Sequence, residues 1–272
     1  MTGIEDVKID PMGKFPINNE IVKENTQVHE KFFQKYMKKH EYYDIFIIHA
    51  KNGQVLYSAA KLSDYGENLK YGPLKTSGLA KVWKKTLENK RPTFVDMQPY
   101  DPSGNTPAMF LGTPVYEDKE INAILVFKIN AATINNVMQF RKGYGKSQED
   151  YLIGPDYLMR SDSFLKPKMH SVKASFKNQK MGQIKTQATI NAIEGKVKTE
   201  ITTDNMGKRV LTAYSSVKVG KDLTWAIISE IGEDEVIEVP NNIRNEIIII
   251  ALILLIVIAF VVYIVINKGI IT

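Results

Sequence analysis

The chain has 272 residues, 44% hydrophobic and 24% charged, a composition typical of folded globular proteins and not of disordered ones. Its 36 basic and 30 acidic residues give a net charge of +6, but no basic block stands out, which argues against a nucleic-acid partner. There is no cysteine, so disulfides and thiol chemistry are excluded, although this does not identify a compartment.

Residues 1–40 comprise an N-terminal segment and one predicted helix. Over residues 18–39, Ile21, Val28, Phe32 and Tyr36 recur on one side while Lys, Glu and Gln fill the other. This spacing predicts an amphipathic helix that packs its apolar stripe on the rest of the protein.

Residues 41–140, called here the first unit, alternate between strand patterns and helix patterns. Ser77 is a suitable N-cap for one of the helices. Pro114 interrupts a strand pattern and lacks a backbone N–H, so we expect an edge strand or a bulge there. The predicted elements are strands over 42–48 and 55–59, a helix over 78–88, strands over 93–97, 108–116 and 121–129, and a helix over 132–140.

Residues 141–236, the second unit, repeat this plan with a different sequence. After a polar linker, a hairpin is predicted around Pro155-Asp156, and a helix is predicted to end near Gly195. The two units together predict an α+β fold with antiparallel sheets. The predicted strands are 151–154, 158–160, 196–203, 209–219 and 223–231.

Residues 247–266 are twenty consecutive residues without a charge, Asn, Gln, Gly or Pro. At 1.5 Å per residue they span roughly 30 Å, the hydrocarbon thickness of a bilayer, and predict a transmembrane helix. Residues 237–246 are predicted to connect it rigidly to the second unit. The first 25 residues contain no apolar run, so we expect either a tail-anchored protein or a chain that lacks a leading membrane helix.

Several segments carry a family resemblance: YYDIF, DYGENL, PYDPSGNTP, IISEIGEDE and, above all, YLIGPDYLMRSDS at residues 151–163. They resemble the extracytoplasmic double Cache sensor of bacterial methyl-accepting chemotaxis proteins, from about residue 28 to the end. The resemblance implies two tandem PAS-like units on an N-terminal helix, a periplasmic position on the inner membrane, and a homodimer. Residues 267–272 would begin a cytoplasmic linker. The family's first membrane helix, HAMP domain and signalling domain are not in this sequence, so the chain is expected to be the sensing half of a receptor.

By this resemblance the first unit is membrane-distal and binds a small molecule, and the second unit is membrane-proximal and relays the change. The amino-acid-binding subclass carries an Arg-x-x-x-Trp-Tyr motif, which is not found here, and an Asp whose position falls on Lys128. An α-amino ligand would then face a like charge. The resemblance therefore favours an organic acid or a polar neutral solute as ligand.

The candidate ligand-binding residues lie in the first unit. Lys128 sits in a strand with two apolar faces, so it lies either at a pocket or at a sheet end with its ammonium in water. The other candidates have a purely structural alternative, in which residues 99–105 form a surface turn and Trp83 belongs to the core. The candidates are Trp83, Asp96, Tyr100, Ser103, Asn105, Phe110 and Lys128.

The second unit has a polar motif after its first strand. The functional interpretation is a second pocket, or a contact that holds the second unit in position to relay the change. The structural interpretation is a turn in which Asp162 accepts backbone hydrogen bonds and pairs with Arg160, and this interpretation is favoured. The motif residues are Tyr151, Gly154, Asp156, Arg160, Ser161, Asp162 and Ser163.

Catalytic chemistry finds little support in the sequence. The histidines, His29, His40, His49 and His170, show no metal-ligand spacing, and no phosphate-binding loop or nucleophile elbow is present. We expect no cofactor, no metal and no enzymatic activity. Two alternatives to a chemoreceptor stay open: the same sensor on a histidine kinase or diguanylate cyclase, and a membrane-tethered binding or structural protein without an output domain.

Overall fold

Two antiparallel sheets organise the part of the chain that this computed structural model describes, residues 7–269. The ends of the predicted N-terminal segment and cytoplasmic linker, residues 1–6 and 270–272, lie outside the described residues. The fold is α+β with an N-terminal helix and a C-terminal apolar helix, as predicted.

The first sheet has five strands in the order β2-β1-β5-β4-β3. Helix α1 (Glu20–Lys39) precedes it, α2 (Gly78–Asn89) connects β2 to β3, and α3 (Ala131–Met138) follows it. Asn19, Ser77 and Asn130 cap these helices by accepting hydrogen bonds from first-turn amides. The strands are β1 (Asp44–His49), β2 (Val55–Ser58), β3 (Thr93–Tyr100), β4 (Thr106–Glu117) and β5 (Glu120–Asn130).

Each face of this sheet has its own cover, because successive side chains of a strand point to opposite faces. Phe46 and Ile48 of β1 are buried in one cluster with Leu79 of α2. The opposite face buries Ile45 in a second cluster, against which Phe33 of α1 packs. The face under α2 is the inner face of the first unit.

The prediction that Ile21, Val28, Phe32 and Tyr36 pack helix α1 on the rest of the protein is wrong. Val28 and Phe32 are 76% and 63% exposed, and Ile21 also lies at the surface; of the four stripe residues only Tyr36 packs against the sheet. The helix instead presents a face of mixed polarity, including Gln34, whose Nε2 donates to the Ala59 carbonyl at 2.6 Å. The apolar contact with the sheet is shifted by one position along the helix, to Val22 and Phe33.

Strand β4 is bulged, as expected from Pro114, but it is not an edge strand because it lies between β5 and β3. Its pairing with β3 ends at Gly112, opposite Thr93, so Pro114 lies beyond that ladder. The register of β4 on β5 shifts between Val115 and Tyr116. A proline is tolerated here because no strand pairs with that side of β4 at this point.

The second sheet has four strands in the order β6-β9-β8-β7. Its inner face lies under a run of short helices, of which α7 makes the contacts with β8 and β9. The strands are β6 (Glu149–Ile153), β7 (Lys198–Thr203), β8 (Arg209–Val219) and β9 (Leu223–Gly232), and the helices are α4 (Pro167–His170), α5 (Val172–Lys177), α6 (Gln179–Gly182) and α7 (Gln187–Ile193).

The strand predicted over residues 158–160 is reduced to a single bridge between Ile153 and Met159. The Arg160 amide still donates to the Leu152 carbonyl at 2.7 Å. The Leu152 amide, however, donates to the Ser161 hydroxyl at 2.9 Å instead of to a backbone carbonyl. A side chain thus completes the ladder and the extended pairing stops.

Helix α8 (Glu233–Gly269) starts directly after β9, and its segment Glu233–Asn267 is the one described helix long and apolar enough to cross a membrane. The predicted connector, residues 237–246, is part of this helix. It contains Pro240, which removes one intrahelical hydrogen bond and favours a kink.

Candidate functional site

A buried ammonium marks the inner face of the first sheet. Lys128 of β5 is 1% exposed, which excludes the alternative that its ammonium lies in water. Its Nζ donates to the Ser103 hydroxyl and lies 4.4 Å from the ring centre of Tyr43 and 4.5 Å from that of Tyr100. Two aromatic faces attract a cation at such distances.

Asp64 brings a carboxylate to the same place from the loop between β2 and α2. It is fully buried, and its Oδ2 accepts a hydrogen bond of 2.8 Å from the Tyr100 hydroxyl. Its Oδ1 is buried with no hydrogen-bond partner among residues 7–269. Burial, together with the charge of Asp44, raises the pKa of Asp64 to about 6, whereas the Tyr100 hydrogen bond and the charge of Lys128 oppose the rise.

Asp44 lies directly opposite Lys128 on β1, and its hydrogen bonds are complete. Its Oδ1 accepts from the amides of Ile45 and Ala60 at 2.7 and 2.9 Å, and its Oδ2 accepts from the Ser58 hydroxyl at 3.0 Å. These contacts fix the start of β1, so Asp44 acts on Lys128 through its charge.

We call this group the Lys128 cage; its members are Tyr43, Asp44, Asp64, Tyr100, Ser103 and Lys128. Burial lowers the pKa of Lys128 to about 8, against the charges of Asp64 and Asp44. Among the described residues no carboxylate lies within 4.0 Å of the Lys128 ammonium. The cage therefore holds an ammonium with donors to spare and a carboxylate oxygen without a donor.

The loop after β3 closes the cage. A 3-10 turn, Asp101–Ser103, is followed by Gly104 and Asn105 with φ of 61° and 58°, which reverses the chain and places Ser103 over Lys128. Asn105 is exposed and faces a surface groove lined by Pro99, Lys173 and Phe176. Within the loop of residues 101–105, Ser103 makes the contact with Lys128.

The sequence-predicted set divides into residues inside and outside the cage. Tyr100, Ser103 and Lys128 come together, with Phe110 packed edge-on against Tyr100 at 5.1 Å between ring centres. Trp83 lies elsewhere in the core and donates its indole N–H to the Ala50 carbonyl at 3.1 Å.

The sequence analysis missed three cage residues, Tyr43, Asp44 and Asp64. They lie in the YYDIF and DYGENL segments that carried the family resemblance. Strand pairing between β1 and β5 would have placed Asp44 across from Lys128, but the position of Asp64 depends on the path of a loop.

Asp96 belongs to the boundary between the two units. Its carboxylate accepts two hydrogen bonds from Arg160, both of 2.8 Å, and one of 3.1 Å from the Trp225 indole. Asp156 also accepts from Arg160 at 3.0 Å. The predicted pairing of Arg160 with Asp162 is therefore wrong.

The rest of the polar motif shapes this boundary. A Cβ on Gly154 would lie 2.1 Å from Nη2 of Arg160, so glycine leaves the space that the guanidinium fills. Asp162 accepts a hydrogen bond of 2.7 Å from the Val172 amide, as the favoured turn interpretation expected, and one of 2.8 Å from Asn135 of α3.

The other motif residues face the second sheet. Tyr151 is buried on its inner face, and the Ser163 hydroxyl donates to Glu149 at 2.6 Å.

Comparison with known proteins places this architecture among sensor domains. No family model matches the chain, and no curated protein matches it in sequence. The extracellular domain assigned to a histidine kinase, mmHK1S-Z3, superposes with a TM-score of 0.53 and 10% identity over 83% of this chain and 85% of that one. The chain has the fold of Cache-like sensor domains.

Two further solved structures support the same fold. The ligand-binding domain of the Pseudomonas fluorescens chemoreceptor CtaA, in complex with L-alanine, gives a TM-score of 0.51 and 12% identity over 79% of this chain and 86% of that one. The extracellular domain of the histidine kinase vpHK1S-Z8 gives 0.51 and 10% over 78% and 76%. At such identities the likeness shows the fold alone. Of these neighbours, the CtaA domain is a ligand-binding domain.

Proposed function

We propose that the chain is the extracytoplasmic sensing module of a bacterial membrane receptor and that it binds a small solute at the Lys128 cage. The observation that carries the proposal is the pairing of a buried ammonium with spare donors and the unpartnered Oδ1 of Asp64. Buried polar groups are normally satisfied, and a ligand that satisfies both would gain charge-assisted hydrogen bonds.

The ligand class follows from these two groups. A ligand needs an acceptor for the Lys128 ammonium and a donor for Asp64, which suits a small hydroxy acid or a polar neutral solute. Lys128 occupies the position of an Asp in the amino-acid-binding subclass, which argued against α-amino ligands. Asp64 supplies a carboxylate in the same cage, so amino acids are included in the test. Entry requires the Ser103 loop to move, because Lys128 and Asp64 are buried; Tyr43, 43% exposed, forms the outer side of the cage.

The boundary between the units supports transmission to the membrane. Met97 and Met109 of the first sheet are buried in one apolar cluster with Leu158 and Trp225 of the second unit. Strand β9 then continues into α8. A solute with different affinity for two arrangements of the first unit would shift their populations and, through this shared core, the position of α8.

The output is proposed to be a chemoreceptor signalling domain, in a homodimer at the inner membrane. A histidine kinase is the second candidate, because structures similar to this chain include sensor domains of both receptor types. The sequence that follows residue 272 in the gene distinguishes them.

A thermal-shift screen of the full chain in detergent micelles tests the binding proposal. The panel contains hydroxy acids, dicarboxylates, amino acids, sugars and polyamines. A solute at 100 times its dissociation constant stabilises the fold by about 2.7 kcal/mol. We expect a shift that disappears in Lys128→Met and persists in Trp83→Phe, whose side chain lies outside the cage. A shift that survives Lys128→Met, or no shift across the panel, would contradict the proposal.

A further inference from the structure

Glu230 occupies in the second sheet the position that Lys128 occupies in the first. The strand orders match when β6, β9, β8 and β7 are laid on β1, β5, β4 and β3. Lys128 lies opposite Asp44, the first residue of β1, and Glu230 lies opposite Glu149, the first residue of β6. The first unit thus puts a cation across from its carboxylate, whereas the second unit puts another carboxylate there.

Both glutamates are buried, and the hydrogen bonds of Glu230 are incomplete. Each is 7% exposed. Oε2 of Glu149 accepts hydrogen bonds from the Ser163 hydroxyl at 2.6 Å and the Leu165 amide at 3.2 Å. Oε1 of Glu230 is buried with no partner among the described residues. Like charges directly opposite in a sheet repel, and burial adds to the cost of holding both.

The surroundings supply no free cation to the pair. The ammonium of Lys166, whose charge acts on Glu230, is 3.3 Å from Asp204, with which it forms an ion pair. Within residues 7–269 no Lys or Arg nitrogen lies within 4.0 Å of either glutamate, and no three acidic or histidine side chains converge as metal ligands. The titratable or charged side chains that face the pair are Tyr151 from β6, Lys166 before α4, His170 in α4 and Asp204 in the turn before β8.

We propose that the Glu149–Glu230 pair is a proton-binding site through which the second unit takes external pH as its own input. One proton from water forms an O–H bond on one carboxylate; this removes the like charge and supplies a donor between the two side chains. The input does not depend on occupancy of the Lys128 cage.

The titration range supports this role. Burial, together with the charges of Asp204 and Glu149, raises the pKa of Glu230 to about 7, against the lowering effects of Tyr151 and Lys166. Burial and the charge of Lys166 lower the pKa of His170, against the charge of Glu149, which keeps this histidine neutral where the pair titrates. Because the glutamates interact, the observed midpoint belongs to the pair.

The pair lies beside the start of the membrane helix. Glu230 is two residues before Gly232, the last residue of β9, whose amide donates to the Ser147 hydroxyl at 3.0 Å. Glu235 of α8 accepts from the Ser147 amide at 2.7 Å. Ser147 precedes β6, the strand of Glu149. A change in spacing between β6 and β9 would therefore act on the first turn of α8 through both Ser147 and Gly232.

Infrared spectroscopy of the full chain in detergent micelles tests the proton site. We expect a protonated-carboxyl band that disappears with a midpoint near pH 7 and is absent in Glu230→Gln. In Glu149→Gln the midpoint should fall, because the opposing charge is gone. Glu194→Gln, an exposed residue paired with Lys196, is the matched control and should leave the band unchanged. A component of the band with a midpoint near pH 7 that persists in Glu230→Gln, or the absence of any such component in the unchanged protein, would overturn the proposal; the Asp64 carboxyl, whose pKa is about 6, gives a separate component at lower pH.

A distance measurement tests the link to α8. Because the chain has no cysteine, spin labels can be placed at Met206→Cys and Ile243→Cys, which are both exposed. The distance distribution should change across pH 7 and stop responding to pH in the Glu230→Gln background. An unchanged distribution, or an equal response in Glu230→Gln, would contradict a role of the pair as an input to the helix.

Discussion

Asp96 of the first unit and Arg160 of the second form a two-point ion pair in which both hydrogen bonds measure 2.8 Å. The Arg160 side chain is 1% exposed and is among the largest fully buried side chains of the described chain. The Trp225 indole donates to the same carboxylate. A charge of one unit therefore depends on the other unit for its neutralisation, which ties the two together.

The substitution Asp96→Asn should destabilise the protein strongly, because a neutral amide is a weaker partner for the buried Arg160 guanidinium than a carboxylate. Removing one member of a buried ion pair costs about 3–5 kcal/mol. For a protein of this size, such a loss lowers the thermal midpoint by roughly 6–15 °C. Asp156→Asn is the matched control: Asp156 is 41% exposed, so its loss should be much smaller. Equal losses in both variants would refute the dominant role of Asp96.

The substitution Gly154→Ala should displace Arg160, since the new methyl group would lie 2.1 Å from Nη2. Overpacking of this kind costs typically 1–3 kcal/mol. Gly143→Ala is the control, because Gly143 has a positive φ of 89° but open space around it, so it reports backbone strain alone. Thermal midpoints compare the two; a smaller loss in Gly154→Ala would show that the guanidinium adjusts easily.

The raised pKa of Asp64, about 6, gives a definite pH dependence. A carboxyl whose folded pKa exceeds its unfolded value contributes stability that is fully present below about pH 4 and is lost as the pH rises through 6. Asp64→Asn should therefore reduce the change of the thermal midpoint with pH over this range. Asp222→Asn should act in the opposite sense, because Arg91 lowers the pKa of Asp222 and its contribution is lost as the pH falls below its usual range near 3.8. An unchanged slope in Asp64→Asn would contradict the assignment.

The substitution Tyr100→Phe removes the hydroxyl that donates to Oδ2 of Asp64 at 2.8 Å. Both oxygens of a buried carboxylate then lack a partner, which should cost about 1–3 kcal/mol at neutral pH and less where Asp64 is protonated. Tyr116→Phe, which removes an exposed hydroxyl bonded to the Lys90 carbonyl, should cost close to nothing. Equal thermal midpoints for the two variants would count against the buried hydrogen bond.

The strands could be read from the sequence, and Lys128 could be singled out as a candidate, because both depend on local patterns. Alternating β-branched and apolar residues predict β5, and a lysine between two apolar faces is conspicuous. Asp64 could not be predicted in the same way, since a loop carries it to Lys128. The buried face of α1 was mispredicted by one position, because Phe33 packs against the sheet and Phe32 lies exposed.

Contacts between distant parts of the chain were also beyond sequence reasoning. Arg160 and Asp96 are separated by 64 positions and lie in different units, so no spacing rule joins them, and the nearer Asp162 was chosen instead. Glu149 and Glu230 lie opposite each other because of the register between β6 and β9, and the sequence pattern did not predict this register.

Fluorescence of Trp225 tests most directly whether a solute at the Lys128 cage acts on the boundary between the units. In Trp83→Phe, Trp225 is the only tryptophan, and its indole contacts Asp96. The solute that gives the largest thermal shift should change the Trp225 emission saturably, with no change when Lys128→Met is added. A saturable thermal shift with constant Trp225 emission would contradict transmission across this boundary.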